Sequence, residues 1–302
     1  MSIFEETVQK NTHNVTITSK INQLSKGQDY IYMDEIEDIT GEECKVAVVF
    51  DGHGNDKVIN FIRSISNGIM NLLLKKSNPI QSVANHINNY LLQSSYESSG
   101  STMCMVKIFS NRIECINCGD SQVAVYKNGS LEFLSKEHNY ENEKERERLE
   151  SLVKFVPSSN IKMIDKDTLI SVYSEYIEWD FPNSYTKLAC SQALGHRNST
   201  GHAPDHTVIK ITENDTFKVV IGSDGLWEMI MKDDIADVNN LYNMDATAIV
   251  EQTTNRWLQM WNMRDVLNNK PMVQCKFTPK QCDDIAVYVA DIKPIPIEKN
   301  ET

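Results

Sequence analysis

The sequence contains no run of about 20 apolar residues, the length that a helix needs to cross a bilayer. Its opening stretch, MSIFEETVQKNTHN, is polar and lacks the apolar segment of a secretory signal peptide. A regular cysteine framework is also missing, because the seven cysteines are odd in number and scattered along the chain. Together these absences predict a soluble, cytoplasmic protein with no membrane partner, in a compartment that keeps thiols reduced.

Basic residues are scarce relative to acidic ones. The chain has 30 Lys and Arg against 42 Asp and Glu, which gives a formal net charge of −12. Nucleic acids and anionic membranes are bound through basic patches, so this balance argues against both as partners. It leaves room for a phosphorylated protein as substrate, because bound metal ions can reverse the local field in a cleft.

Two groups of residues have part of the pattern of a zinc site but not all of it. Cys115 and Cys118 form a CxxC pair that no second Cys or His pair accompanies, and they lie in the alternating pattern of a predicted strand. We interpret them as core thiols. His196, His202 and His206 are irregularly spaced in a segment broken by Gly and Pro, which favours a loop.

What the sequence does contain is a buried strand that ends in reactive side chains. Residues 46–54 read VAVVFDGHG, an apolar run followed by Asp51, Gly52, His53 and Gly54. The two glycines allow the backbone to turn and a ligand to approach the main chain. A carboxylate, an open carbonyl and an imidazole at the end of a rigid strand suit a hard cation and a proton donor. The alternative is a polar hairpin turn, in which Asp and Gly are also common.

The pattern of a strand beside an aspartate occurs twice more. Residues 218–227 read KVVIGSDGLW and end in Asp224 and Gly225, while Asp283 and Asp284 precede the apolar run IAVYVA. Hard divalent cations prefer carboxylate oxygens, and a two-metal site needs several of them on converging strand ends. An all-oxygen site of this kind predicts Mg²⁺ or Mn²⁺ as the cofactor.

The hydrophobic periodicity predicts an α+β fold. Helical spacing covers residues 55–76, a segment that begins at Pro79, and residues 141–152, 226–231, 232–238 and 245–261. Strands are predicted within the first twenty residues, at YIYM, in three consecutive antiparallel strands after Gly100 with a turn at Asn128-Gly129, at 206–211, at 216–222 and in the closing CDDIAVYVADI. Residues 153–187 have no clean period. The absence of strand–helix–strand alternation argues against a parallel Rossmann-like sheet.

Five motifs together resemble one family. VVFDGHG, NCGDSQVAVY (117–126), LACSQALGH (188–196), IGSDGLWEMI (221–230) and CDDIAVYV (282–289) occur in the order seen in type 2C protein phosphatases, which are metal-dependent serine/threonine phosphatases. The resemblance implies a four-layer α/β/β/α sandwich, with two antiparallel sheets flanked by helix pairs, in a single domain over residues 1–302. Residues 153–187 would be a flap or variable insertion near the active site, and residues 294–302 a frayed tail.

The resemblance also implies the site and its chemistry. Asp51 would bridge two Mg²⁺ or Mn²⁺ ions, the Gly52 carbonyl would bind one, and His53 would protonate the departing serine or threonine oxygen. Asp29 would hold metal-bound water, and Asp120 would either bind an additional, weaker ion or contact the metal ligands from behind. The implied metal-binding set is Asp29, Asp51, Gly52, Asp120, Asp224 and Asp283. The expected protein is a monomer that hydrolyses phosphoserine and phosphothreonine in proteins through metal-activated water, with two or three ions per chain.

Two acidic pairs compete for the place beside the metals. Gln28 and Asp29 match the Gln-Asp form found in some members of the family. Glu37 and Asp38 match the commoner Glu-Asp form, but they lie in a predicted hairpin loop too close to Asp51, so we expect solvated turn residues.

Several positions depart from the family pattern. Many members carry an Arg a few residues before the acidic pair to hold the substrate phosphate, whereas here Leu24 has that spacing and Lys26 is the nearby cation. Lys cannot make the bidentate contact of Arg, so either phosphate binding is weaker or Lys26 substitutes. Glu228, Gln192 and His196 also replace the usual residues. The alternative function is a weakly active or inactive phosphatase-like module that binds or regulates.

Overall fold

The computed structural model describes residues 13–92, 96–151, 153–181 and 184–295, which form an α+β fold. The helices are α1 (Lys57–Ser64), α2 (Asn67–Leu74), α3 (Pro79–Leu91), α4 (Glu143–Leu149), α5 (Asp224–Trp227), α6 (Ile235–Asn240) and α7 (Ala246–Trp257). The first strands are β1 (His13–Asn22), β2 (Asp29–Glu37), β3 (Glu43–Gly54), β4 (Ser99–Ser101), β5 (Met103–Ile108), β6 (Arg112–Cys118), β7 (Gln122–Lys127) and β8 (Ser130–Leu134). The others are β9 (Lys154–Asp165), β10 (Thr168–Phe181), β11 (Ser184–Leu188), β12 (Leu194–Gly195), β13 (Asp205–Lys210), β14 (Phe217–Gly222), β15 (Met260–Arg264), β16 (Val273–Lys276) and β17 (Ile285–Pro294).

The described strands form three sheets, one more than the two expected. One sheet has the order β12-β4-β3-β5-β6-β13, with β2 also paired to β3. The second has the order β1-β17-β14-β7-β8. The third has the order β11-β10-β15-β16, with β9 paired to β10, and its β10–β15 pairing is parallel. The α+β class is therefore confirmed, with an additional small sheet.

Three of the four hydrophobic clusters among the described residues hold the two larger sheets and their helices together. Phe50 of β3 packs with Ile59 and Ile62 of α1 on the outer face of the first sheet. A middle cluster joins the first two sheets and contains Val49 of β3 and Tyr288 of β17, both almost fully buried. The third cluster packs α5, α6 and α7 on the second sheet. The two larger sheets thus share one core, and each has helices against its other face.

Several predicted elements are confirmed. β1 lies at the edge of its sheet, and β2 and β3 form a hairpin around residues 38–42. Helix α3 begins at Pro79, and the Asn78 side chain caps it by accepting from the Gln81 N–H. β13, β14 and β17 lie where the alternation predicted strands.

The single helix predicted over residues 55–76 is wrong. The chain makes α1 and α2, because Ile65 has an extended backbone (φ −67°, ψ 125°) that ends the first helix. Apolar residues continue at helical spacing on both sides of the break, so the periodicity alone conceals it. Three helices, rather than two, therefore cover this sheet.

The three consecutive antiparallel strands predicted after Gly100 are also wrong in their pairing. β5 and β6 pair in the first sheet, whereas β7 and β8 belong to the second sheet. Residues 119–121 carry the chain from one sheet to the other. Asp120 therefore lies at a crossing between sheets rather than in a hairpin turn.

Within residues 153–187, which have no clean period, β9 and β10 form a long β-hairpin, and β11 pairs with β10. The hairpin pairs with β15, which begins at Met260, where the sequence predicted the end of a helix. Helix α7 ends instead at Trp257. Strands β10 and β15 pair although they lie about 90 residues apart in the chain. Such a pairing leaves no local pattern in the sequence, so this sheet is not predictable from it.

Of the competing pair, Glu37 is the exposed last residue of β2, and Asp38 begins the β2–β3 turn, where it is buried rather than solvated. Its Oδ1 accepts hydrogen bonds from the backbone N–H of Thr40 (2.7 Å) and Glu42 (3.2 Å), which satisfies the carboxylate inside the turn. Most of the predicted frayed tail lies outside the described residues. None of the described helices has the length and apolar character to cross a membrane.

Candidate active site

Strand pairing brings the first two candidate aspartates together. In the β2–β3 hairpin Asp29 lies directly opposite Asp51. Gly52 follows, and its N–H donates to the Gln28 carbonyl (3.1 Å). A Cβ on Gly52 would be 2.9 Å from that carbonyl oxygen, so only glycine permits this close approach.

Strands β14 and β17 bring two more aspartates to the site. Asp224 follows β14 by two residues, and Asp283 precedes β17 by two residues. Because β14 and β17 are antiparallel, these two positions meet at the same edge of the sheet. Gly225 allows the contact, since a Cβ there would be 2.0 Å from the Asp284 carbonyl oxygen.

Ser223 and Asp284 fix the two sheets to each other, and sequence reasoning assigned no role to either. The Ser223 hydroxyl donates to Asp29 Oδ2 (2.7 Å). The buried Asp284 carboxylate accepts from the backbone N–H of Ser25 (2.9 Å) and Gln28 (2.8 Å), and so holds the loop before β2. The Asp-Asp motif does mark this position in the sequence. Of its two residues, however, Asp283 is the candidate metal ligand, and nothing local distinguishes the structural role of Asp284.

The structure therefore brings Asp29, Asp51, Asp120, Asp224 and Asp283 together around one open cleft of about 360 Å³. Among the described residues, no three His, Cys, Asp or Glu side chains converge as closely as the ligands of one enclosed ion. Asp51, Asp120 and Asp224 line the open cleft, and Asp29 and Asp283 lie behind them. Ions such as Mg²⁺ that retain several water ligands suit such an arrangement.

The electrostatics of the cleft favour a cation. Burial, followed by repulsion from the neighbouring carboxylates, raises the pKa of Asp29, Asp51 and Asp120 well above the ordinary value. Burial and the Asp283 charge raise the pKa of Asp224 to about 6. Asp224 Oδ1 is buried without a hydrogen-bond partner among the described residues. An unsatisfied carboxylate oxygen among other carboxylates fits a divalent cation.

Glu228, one turn beyond Asp224, belongs to the same acidic group. Desolvation, followed by repulsion from Asp224 and Asp283, raises its pKa. Its backbone N–H donates to the Asp224 carbonyl (2.8 Å), so the short helix α5 fixes the spacing between the two.

Lys26 is the cation closest to these carboxylates in the described part of the cleft. Its Nζ lies 3.2 Å from both carboxylate oxygens of Asp283. Burial opposes its charge, but Asp283, Asp224 and Asp51 together raise the pKa of Lys26 above the ordinary value. Leu24, which has the spacing of the family's usual Arg, instead packs against the cluster beneath the second sheet.

His53 lies at the rim of the same cleft, and its nearest polar partner is His196. The two Nε2 atoms are 2.9 Å apart. Burial and then the neighbouring His196 hold the pKa of His53 well below its ordinary value, while burial lowers the pKa of His196 to about 4. The sequence does not predict that His196 contacts His53, because the pairing depends on three strands that are distant in the sequence.

The third sheet provides one wall of the cleft. Tyr176 of β10 lines it, and the exposed Lys187 of β11 lies with its Nζ 5.3 Å from the Tyr176 ring centre. The expectation that this segment lies near the site agrees with this placement. Because residues 153–187 have no clear hydrophobic period, the sequence does not predict which of their side chains face the cleft.

The remaining candidates lie outside the cleft. His138, in the turn before α4, is buried, and its Nδ1 accepts from the Gly119 N–H (3.1 Å). Gln192 donates to Glu145 Oε1 (2.9 Å) in a buried network. Cys115 and Cys118 are free, buried thiols, as the alternation predicted.

Comparison with known proteins gives one consistent family. The family model described as protein phosphatase 2C matches residues 37–258. The probable protein phosphatase 2C 55 of Oryza sativa subsp. japonica is 24% identical over 209 residues, which cover 65% of this chain and 49% of that protein. The chain thus spans about half the length of the curated relatives it matches.

Solved structures show the same fold. The serine/threonine phosphatase 2C from Toxoplasma gondii superposes with a TM-score of 0.54 at 14% identity, covering 91% of this chain and 99% of that one. The catalytic domain of the serine/threonine phosphatase PstP, in complex with two manganese ions, superposes with a TM-score of 0.52 at 14% identity, covering 93% and 100%.

Proposed function

The chain belongs to the protein phosphatase 2C family, and from this premise we propose that it hydrolyses phosphoserine and phosphothreonine in proteins with Mg²⁺ or Mn²⁺ as cofactor. The observation that carries the proposal is the group of acidic side chains at converging strand ends. Their raised pKa values and the unpartnered Oδ1 of Asp224 show that the ionised carboxylates are unfavourable here without a counter-charge, which divalent cations would supply.

Each candidate ligand has a place in this proposal. The Asp51 carboxylate and the Gly52 carbonyl, together with Asp224 and Asp283, would hold two ions, while Asp29 or Asp120 would support bound water or a third ion. When bound, the ions would neutralise the phosphoryl oxygens and supply an activated water for attack on phosphorus. The PstP relative in complex with two manganese ions supports this choice of cofactor.

The protein groups do the remaining work. His53 lines the cleft beside Asp51, where it can give a proton to the departing serine or threonine oxygen. Lys26 holds a positive charge beside Asp283, and with that carboxylate bound to an ion the ammonium could contact a phosphate oxygen instead. The Tyr176 and Lys187 wall leaves the cleft open enough for a segment of a phosphoprotein.

The test is phosphate release from phosphoserine and phosphothreonine peptides by the purified chain with Mn²⁺ present. Asp51→Asn removes a central carboxylate and should abolish measurable turnover. Asp233→Asn makes the same chemical change at an exposed position away from these strand ends and should leave the rate unchanged. A wild-type chain that releases no phosphate, or an Asp51→Asn variant as fast as wild type, would overturn the proposal.

A further inference from the structure

His196 is placed against His53 by a backbone arrangement built around a glycine. Across neighbouring strands, His53 of β3 pairs with Gly100 of β4, and Gly100 pairs with Gly195 of β12. A Cβ on Gly100 would lie 2.2 Å from the His196 Nε2 and 2.5 Å from the His53 Nε2. The contact between the two rings therefore exists only because Gly100 has no side chain.

The two imidazoles meet edge to edge. Their planes differ by 9°, and the ring centroids are 5.0 Å apart while the Nε2 atoms are 2.9 Å apart. These distances require the two nitrogens to face each other nearly in the plane of both rings. This is the geometry of one N–H···N hydrogen bond rather than of face-to-face stacking.

The backbone determines which ring donates. The His196 Nδ1 lies 2.6 Å from the Glu97 carbonyl oxygen, and a carbonyl only accepts, so Nδ1 carries the proton. A neutral His196 then presents a lone pair at Nε2. The shared proton therefore belongs to the Nε2 of His53.

His196 holds an unusual backbone conformation to make this contact. Its φ is 43°, and Arg197 and Asn198 also have left-handed backbones (φ 49° and 60°). Three successive non-glycine residues in this region are costly, and such strain persists only where the surroundings enforce it. His196 is fully buried, so the strained turn delivers one imidazole to the inner edge of the cleft.

We propose that His196 is a positioning residue for the reaction. It accepts the Nε2 proton of His53, fixes the plane of that ring and leaves Nδ1 facing the leaving oxygen. A proton taken from solvent at Nδ1 makes the imidazolium, and its transfer to the leaving oxygen returns His53 to the neutral form with its proton on Nε2. The inference rests on the proposed phosphatase function for its catalytic consequence, but the hydrogen bond itself does not depend on that function.

The test uses three variants at one loop. His196→Leu fills the space without an acceptor, whereas His196→Gln keeps an oxygen or nitrogen at the reach of the Nε2 atom. His202→Leu is the matched control, because the His202 ring bonds the Ala193 carbonyl instead. Nitrogen-detected NMR should show an exchange-protected Nε2 proton on His53 in wild type, in His196→Gln and in His202→Leu, and not in His196→Leu.

The kinetic arm compares two leaving groups at saturating Mn²⁺. Serine leaves as an alkoxide that needs a proton, whereas p-nitrophenolate hardly needs one. We expect His196→Leu to lower kcat on a phosphoserine peptide by about 10–100-fold, with KM unchanged and p-nitrophenyl phosphate slowed by less than about threefold. His196→Gln should recover most of the loss.

Each contrary result is decisive. Equal losses on the two substrates, or equal losses in the Gln and Leu variants, would show that His196 is merely structural. If the Nε2 proton of His53 is not exchange-protected in the wild-type protein, the proposed hydrogen bond to His196 does not exist. If the wild-type chain hydrolyses neither substrate, the proposed function fails, and the NMR comparison still decides the contact.

Discussion

Lys26 illustrates how one side chain can have two duties in an acidic cleft. Its ammonium lies 3.2 Å from both oxygens of Asp283, so it neutralises a candidate metal ligand when no ion does so. If it also holds the substrate phosphate, Lys26→Met should raise KM for a phosphothreonine peptide about tenfold, equivalent to roughly 1.5 kcal/mol for a charge-assisted hydrogen bond. Steady-state kinetics at saturating Mn²⁺ measures this.

The same Lys26→Met change should also lower the Mn²⁺ concentration needed for half-maximal rate, since the competing cation is gone. Lys20→Met, at an exposed position of β1, is the control and should change neither quantity. An unchanged KM in Lys26→Met would show that Lys26 does not bind the substrate phosphate.

At the scale of elements, helix α1 supports the loop that carries Lys26 and leads into β2 at Asp29. The Arg63 Nη2 donates to the carbonyl oxygens of Gly27 (2.7 Å) and Asp29 (2.9 Å). Arg63→Met should therefore lower the free energy of unfolding by about 1.5–3 kcal/mol, the usual contribution of hydrogen bonds from a charged group. It should also weaken Mn²⁺ activation, because the loop positions the acidic residue beside Asp51.

Urea unfolding and Mn²⁺ titration measure the two effects of Arg63→Met. Lys76→Met, at an exposed position just beyond α2, provides the comparison. If both variants match wild type in stability and in Mn²⁺ dependence, the support that α1 gives to this loop is unimportant.

The elements differ in how far the sequence predicts them. β3 and β14 are predictable because buried apolar strands followed by Asp-Gly leave a strong local signal. The β9–β10 hairpin is not, because its faces are only partly buried and its parallel partner β15 is far along the chain. The sequence likewise does not predict that β7 pairs in the second sheet. An alternating pattern predicts that a segment is a strand, but not which strands it pairs with.

The site shows the same division. Asp51, Asp224 and Asp283 follow from local motifs, and the fold places them at converging strand ends. His196 could not be paired with His53 from the sequence, because that contact needs Gly100 between them and a left-handed backbone at His196. Nor could Ser223 be assigned its bond to Asp29.

For the whole molecule, the acidic cleft should govern how stability without metal depends on pH. The folded chain holds a proton on Asp224 with a pKa of about 6, against the ordinary value of 3.8. A raised pKa means that its stabilising contribution is complete below about pH 4 and is lost as pH rises through about 6. Between about pH 5 and about pH 7.5 this residue alone should lower the free energy of unfolding by about 1 kcal/mol.

Buried histidines act in the opposite direction, because the lowered pKa values of His53 and His196 cost stability as pH falls. The informative quantity is therefore the difference between wild type and Asp224→Asn, both measured in chelator. Thermal melts should show that the variant loses less stability over this pH range, and that at about pH 7.5 it melts at or above the wild-type temperature. Identical pH dependence in the two proteins would contradict the raised pKa of Asp224.

The most direct test of the central claim measures bound Mn²⁺ and phosphate release in the same samples. The wild-type chain is stripped with EDTA, dialysed, and titrated with Mn²⁺ while a phosphothreonine peptide is present. The stripped protein should show no turnover, and the rate should rise with Mn²⁺ occupancy to a plateau at two or three ions per chain. Asp224→Asn should need far more Mn²⁺ to approach that plateau. Full turnover in the stripped protein, or Mn²⁺ binding that leaves the rate at zero, would contradict the central claim.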